Sequence, residues 1–202
     1  MLIKNYLREI SMKQFMYYCN IKYINAFCKE CSNYNKVWTC PPHNIDVIDM
    51  LKEYNQCYLV ATKIYTNDLP QSIQSLVDND PYNIILATEA IMKDVRNKLD
   101  KVLLNVENHI PQSRAILSGK CLLCDMCSRV SDKPCRNPDM MRYSLESFGF
   151  DISRICQEIF GIEILWGGYT LPKYIILVSG IMTKESKNSY NEIMKNEIPN
   201  QW

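Results

Sequence analysis

The chain predicts an α+β fold: a mixed sheet with packed helices, a single domain over residues 1–202, and two cysteine-rich metal-binding loops at about 28–42 and 120–138. Three observations carry that prediction. Apolar runs of strand length are interspersed with amphipathic helical stripes, with no internal repeat and no Gly/Ser linker between them. Hydrophobic residues make up 47% of the 202 positions, enough for a real core without metal as its only support. Seven of the ten cysteines fall into two clusters with metal-ligand spacing, Cys28-x2-Cys31-x8-Cys40 and Cys121-x2-Cys124-x2-Cys127-x7-Cys135.

Taken in chain order, residues 1–18 predict a short helix with Ile3, Leu7 and Ile10 on one face. Trp38-Thr39-Cys40-Pro41-Pro42 ends regular structure, because neither proline can donate a backbone hydrogen bond. Asn44 predicts an N-cap for a helix carrying Val47, Ile48, Leu51 and Tyr54. Residues 57–65 read as a largely buried strand. Asp80-Pro81 makes an N-cap and first-turn pair that opens the longest helix. Its stripe is Ile84, Thr88, Ile91, Val95, Leu99, Val102 and Val106, and Pro111 stops it. Lys93, Asp94, Arg96, Lys98, Asp100 and Lys101 are expected on its solvated side. A strand over 113–118 leads through Gly119 into the second cysteine cluster. Asp151 caps a helix with Ile152, Ile155, Ile159 and Phe160 inward and Gly161 at its end. Ile162–Trp166 and Tyr174–Ile181 are expected as two further strands, joined through Gly167-Gly168 and Pro172.

Charge and motif content narrow the function. A net charge of +1 argues against general nucleic-acid binding, which shows as a strongly basic face. No run of 18 uninterrupted apolar residues occurs, so no membrane-spanning segment is expected. Lys4, Arg8 and Glu9 break the apolar run that a signal peptide needs. The expected compartment is the cytoplasm, where thiols stay reduced and clustered cysteines mean metal or redox chemistry. His43 and His109 are the only histidines, too few for a His-rich zinc enzyme. The C-x3-C-x2-C spacing of radical S-adenosylmethionine enzymes is absent, and so are G-x-G-x-x-G and the P-loop.

The triple Cys121, Cys124, Cys127 is the sharper of the two signals. Repeated C-x2-C-x2-C is how ferredoxin-type loops wrap a cubane, each thiolate taking a different iron. With Cys135 as fourth ligand, the expected cofactor is a 4Fe–4S cluster. The alternative is a zinc knuckle that only staples the loop, since zinc also accepts four thiolates. Lys120, Arg129, Lys133, Arg136 and Arg142 outnumber Asp125, Asp132 and Asp139 by two, a balance that favours a more negative, reduced cluster. The first cluster supplies only Cys28, Cys31 and Cys40. Its fourth ligand could be Cys19, Cys57, His43 or a cysteine of the other loop, or one iron could stay open to a small ligand. Cys57 and Cys156 read as core residues.

Beyond the cysteines, Cys28-x2-Cys31-x2-Tyr34-x3-Trp38-x-Cys40-Pro41-Pro42 resembles the first signature of an uncharacterised prokaryotic family of predicted metal-binding proteins, a domain of unknown function. Cys121-x2-Cys124-x2-Cys127, then Pro134-Cys135-Arg136-x-Pro138, resembles its second signature, and Arg142-x-Ser144-x-Glu146-x2-Gly149-x-Asp151 resembles the segment that follows. The chain departs from that pattern at Asn35, where the family usually has Gly, and at Tyr143, where it usually has Pro. Neither departure removes a ligand, and Asn tolerates the left-handed backbone that a Gly supplies. The resemblance implies metal binding, iron–sulfur first, through Cys28, Cys31, Cys40, Cys121, Cys124, Cys127 and Cys135. It implies no particular reaction. The expected function is a cytosolic iron–sulfur protein with one or two clusters, in electron transfer or a reductive reaction. If it is an enzyme, it is an iron–sulfur oxidoreductase. Its partner would be a redox protein or a small molecule, with no nucleic acid and no membrane. The alternatives are a zinc-stapled interaction module and an accessory protein that handles clusters or metal.

Overall fold

The computed structural model describes residues 1–67, 69, 73, 77 and 80–202. At its centre is a four-stranded sheet in the order β1-β2-β4-β3, with β1 at Ile3–Ser11, β2 at Gln56–Tyr65, β3 at Ser113–Ile116 and β4 at Tyr174–Thr183. Around it the described residues form α1 (Met12–Phe15), α2 (Ile21–Glu30), α3 (Val47–Lys52), α4 (Pro81–His109), α5 (Ile152–Ile155) and α6 (Asn188–Glu197). The fold is α+β, as the sequence predicts. The sheet is not mixed, however: all three ladders are antiparallel, and the parallel bridge between Leu117 and Ser144 lies outside the strands.

β2 is buried on both faces, which explains why its sequence runs apolar without alternation. Cys57 and Leu59 face a core built with Phe15, Phe148 and Phe150, whereas Tyr58 and Val60 face Leu99, Leu103 and Val106 of α4. Full burial of a side chain of this size contributes about 1.5–3 kcal/mol, so β2 and α4 anchor the molecule. Asp80 caps α4 by accepting from Tyr82 N at 2.8 Å, and Pro81 occupies its first turn. Among the described residues, no helix is long and apolar enough to cross a membrane.

Four local expectations are corrected. Residues 3–11 form an edge strand rather than a helix: Ile3 and Asn5 point inward, Asn5 Oδ1 accepts from Thr62 Oγ1 at 2.7 Å, and nine pairs with β2 outweigh a weak helical stripe. Asp46, not Asn44, caps α3, which ends before Tyr54. Residues 162–166 join no ladder, and Tyr174 OH donates to Glu163 O at 2.8 Å instead. Arg96 is buried, and its partner Asp100 is largely so, because the chain entering the second cysteine loop lies across this side of α4.

One glycine sets the place of the first cysteine loop. Gly149, at φ 90°, closes the 3-10 turn Glu146–Phe148, and a Cβ there would lie 2.6 Å from Cα of Ile21. The close approach docks α2 on the segment beyond the second loop, with Asn20 N donating to Gly149 O (2.8 Å) and Asp151 N to Tyr18 O (2.9 Å). Cys28 rides in the last turn of α2. Asp151 caps α5 through Arg154 N, and after a single π turn over Cys156–Phe160 the chain stops at Gly161, φ 66°, as expected.

Candidate metal centre

Both ends of the second cysteine loop are fastened to α4. At its entry Arg96 Nη1 donates to Lys120 O at 2.7 Å, with Nη2 on Asp100 Oδ2 at 2.9 Å. At its exit Arg142 Nε donates to Glu107 Oε2 at 2.7 Å, and the same oxygen accepts from Ala115 N of β3 at 2.6 Å. Between these anchors the loop holds its own shape: Ser128 Oγ donates to Pro134 O (2.7 Å), Lys133 N donates to Ser128 O (3.1 Å), and Asp132 takes the left-handed conformation at φ 51°.

Cys121, Cys124, Cys127 and Cys135 are each half-buried and line one narrow cavity. Val37, Trp38 and Thr39 of the first loop wall the same cavity. Among the described residues no three His, Cys, Asp or Glu side chains converge tightly enough to enclose a single ion as they stand. Burial pushes the Cys121 thiol above its ordinary range, and the neighbouring thiols of Cys135, Cys124 and Cys127 push it the same way. Asn137 Nδ2 donates to Cys124 Sγ at 3.3 Å, a hydrogen bond of the kind that tunes a metal-bound thiolate.

Cys28, Cys31 and Cys40 are also neighbours. Burial, then the thiols of Cys31 and Cys28, push Cys40 up to about 11, opposed by a hydrogen bond with Thr39 and by the charge of Arg129. Cys28 is raised by burial, by Cys31 and by the carboxyl of Glu146. Metal ligation needs these protons gone, and only a bound cation repays the crowding of thiolates. The donor set fits thiolate-bound metal at both loops.

The candidates for a further ligand separate clearly. Cys57 is a fully buried residue of β2 facing the core, its thiol far above the ordinary range through burial. Cys19 Sγ donates to Phe148 O at 3.5 Å. His43 Nε2 lies 2.6 Å from Ser147 O, a contact that requires this nitrogen to carry the proton. Nδ1 then keeps a bare lone pair, buried and without a hydrogen-bond partner among the described residues. A backbone carbonyl accepting from one ring nitrogen and a free lone pair on the other is the usual state of a ligating histidine.

The charge balance of the second loop differs from the simple count. Arg142 is neutralised by Glu107, and the exposed Lys120, Lys133 and Arg136 are matched in number by Asp125, Asp132 and Asp139. The excess beside the sulfurs is Arg129, buried and paired with no carboxylate among the described residues. Sequence reasoning missed Arg96, Glu107 and Asn137 as supports of the site, and counted Arg129 only as one of five cations beside the sulfurs, not as the buried link to the first loop. Only Arg129 and Asn137 carried any signal, through nearness to a cysteine.

Beside Cys135 opens a wider cleft of about 760 Å³ of empty space, with Trp38 and Tyr143 among its walls and Asn44 and Asp132 as polar groups. A family model described as predicted metal-binding protein (DUF2284) matches residues 19–182, a span that contains both cysteine loops and the cleft. No curated protein and no solved structure matches the chain. With more than half its length inside that match, the chain belongs to this family of predicted metal-binding proteins.

Proposed function

We propose that the chain is an iron–sulfur protein, with a 4Fe–4S cluster on Cys121, Cys124, Cys127 and Cys135, working in electron transfer or a reductive reaction. The observation that carries this reading is the arrangement of the three thiols of Cys121-x2-Cys124-x2-Cys127, with that of Cys135, around one walled cavity. Cys28, Cys31 and Cys40 would hold a second centre, with His43 Nδ1 as the donor best prepared to join them. When bound, such a cluster supplies one-electron transfer at a potential set by burial, charge and hydrogen bonds to sulfur. The chain's own groups act on those three levers. Trp38 and Val37 limit water, Asn137 donates to Cys124 Sγ, and Arg129 contributes a buried positive charge. A small oxidant or the surface of a redox protein would approach through the cleft between Trp38 and Tyr143, where Cys135 is reached from outside.

Iron, zinc and acid-labile sulfide are measured after strictly anaerobic purification, with electron paramagnetic resonance on the same sample. About eight irons with matching sulfide are expected for two cubanes, or about four for one. Cys124→Ser should lose the iron and sulfide of the second loop. Zinc without sulfide in the wild-type chain overturns the redox reading and leaves a stapled interaction module.

A further inference from the structure

We propose that Arg129 couples the two cysteine sites, so that metal in either one raises the affinity of the other. The proposal rests on the reading that both loops take metal. Arg129 lies on the second loop, two residues beyond Cys127, but its guanidinium serves the first. Nη1 donates to Val37 O (3.0 Å) and Cys40 O (2.8 Å), and Nη2 donates to Asn35 Oδ1 (3.0 Å) and Pro42 O (2.6 Å). Its Cζ stands 5.0 Å from the ring centroid of Trp38. The side chain is only 7% exposed, so these contacts are made out of water.

Two further bonds tie the same segments. Cys121 N donates to Thr39 Oγ1 at 3.1 Å, and Trp38 Nε1 donates to Lys133 O at 3.1 Å. Residues 37–39 are thus both the approach to Cys40 and a wall of the cavity that the other four thiols line. Metal on Cys40 fixes that wall and the four acceptors of Arg129. Metal on Cys127 fixes the backbone that carries Arg129. Whichever site fills first orders the shared segment, and the second ligand then meets a segment already ordered. The buried guanidinium also holds a positive charge beside Cys40, whose carbonyl it binds at 2.8 Å. Lysine cannot substitute for it, because a point charge does not reach four acceptors that a flat fork spans.

The test is Co²⁺ titration of the full-length, metal-free chain under anaerobic conditions, read by thiolate-to-cobalt absorption. Cys31→Ser disables the first site and Cys124→Ser the second. The second site's affinity for Co²⁺ is expected to fall about fivefold or more in Cys31→Ser, within the usual 5–150-fold span of coupled sites. Reciprocity requires the first site to weaken by the same factor in Cys124→Ser. In an Arg129→Lys background both cross-effects should shrink below about twofold while each site still binds Co²⁺. Absent cross-effects overturn the proposal, as do cross-effects that survive Arg129→Lys, which would mean a merely structural arginine. Should Arg129→Lys fail to fold, Asn35→Gly keeps the left-handed backbone at φ 55° and deletes one acceptor; it should reduce the cross-effects in part, and unchanged values refute the coupling. Iron and sulfide content decides the native metal and Co²⁺ cross-effects decide the coupling, so either conclusion can fall without the other.

Discussion

Removing Glu107 gives the sharpest test of how the second loop is held. Its side chain is 12% exposed and that of Arg142 is 9% exposed. The carboxylate is shared between Arg142 and the backbone N–H of Ala115. In Glu107→Ala the guanidinium stays buried with only Asp139 O and Met141 O as acceptors, and Ala115 N loses its partner. Deleting one member of a buried ion pair costs about 3–5 kcal/mol, because the charge left behind has lost both water and partner. An orphaned backbone donor alone costs about 1–3 kcal/mol. The two penalties overlap at one site, so about 3–5 kcal/mol is expected in total rather than their sum. Against a typical stability of about 5–15 kcal/mol that is a large share. Urea unfolding at fixed metal content reads it: with a slope of about 2 kcal/mol/M the midpoint falls by roughly 1.5–2.5 M. The double variant Glu107→Leu with Arg142→Met removes both charges and should recover at least about half the loss, since an apolar pair replaces an ionic one at little cost. A single-variant loss under about 1 kcal/mol, or a double variant as unstable as the single, refutes the reasoning.

Three other expectations can be checked on the same samples. Gly149→Ala forces a Cβ to within 2.6 Å of Ile21 Cα at φ 90°, so a loss of about 2–4 kcal/mol in urea and a weaker first-site Co²⁺ affinity are expected; wild-type values for both would show that α2 does not depend on this approach. Cys156→Ser should leave iron and sulfide content unchanged and lower stability by about 1–3 kcal/mol, because this thiol, pushed up to about 12 chiefly by burial, is a protonated core group; lost iron would make it a ligand. Asp100 titrates above its ordinary 3.8, burial outweighing the charge and hydrogen bond of Arg96. A raised carboxyl binds its proton in the folded state while the unfolded chain has released it, so stability from this group is complete below pH 3.8 and is lost as pH rises through the folded value. Urea midpoints of wild type and Asp100→Asn between pH 3.5 and 7 should therefore differ in slope in that direction; parallel profiles would contradict it.

The legible parts of this protein are those whose determinants sit close together in the chain. Asp80-Pro81 opens α4, Gly161 closes the turn after α5, and the apolar run 57–65 forms β2, all by chemistry acting within a few residues. The misread parts depend on distant neighbours. Residues 3–11 become a strand only because β2, some 45 to 61 residues on, offers nine pairs along its edge. Arg96 looks solvated on a helical wheel and is buried because Lys120 crosses over it. Ile162–Trp166 has strand composition but finds no ladder.

The same division runs through the metal centre. Spacing within each loop shows which sulfurs belong together, because a two-residue gap fixes their separation locally. Affinity and potential depend instead on burial, charge and hydrogen bonds around the sulfurs. Those come from pairs such as Arg129 with Val37 and Cys121 with Thr39, separated by 92 and 82 residues. Counting charges along the second loop gives an excess of two, yet Arg142 is spent on Glu107, and Arg129 is the cation that the fold turns inward. The spacing of the cysteines therefore names the candidate ligands, while the groups around them, such as the buried Arg129 donating to Val37 O across 92 residues, are set by the fold.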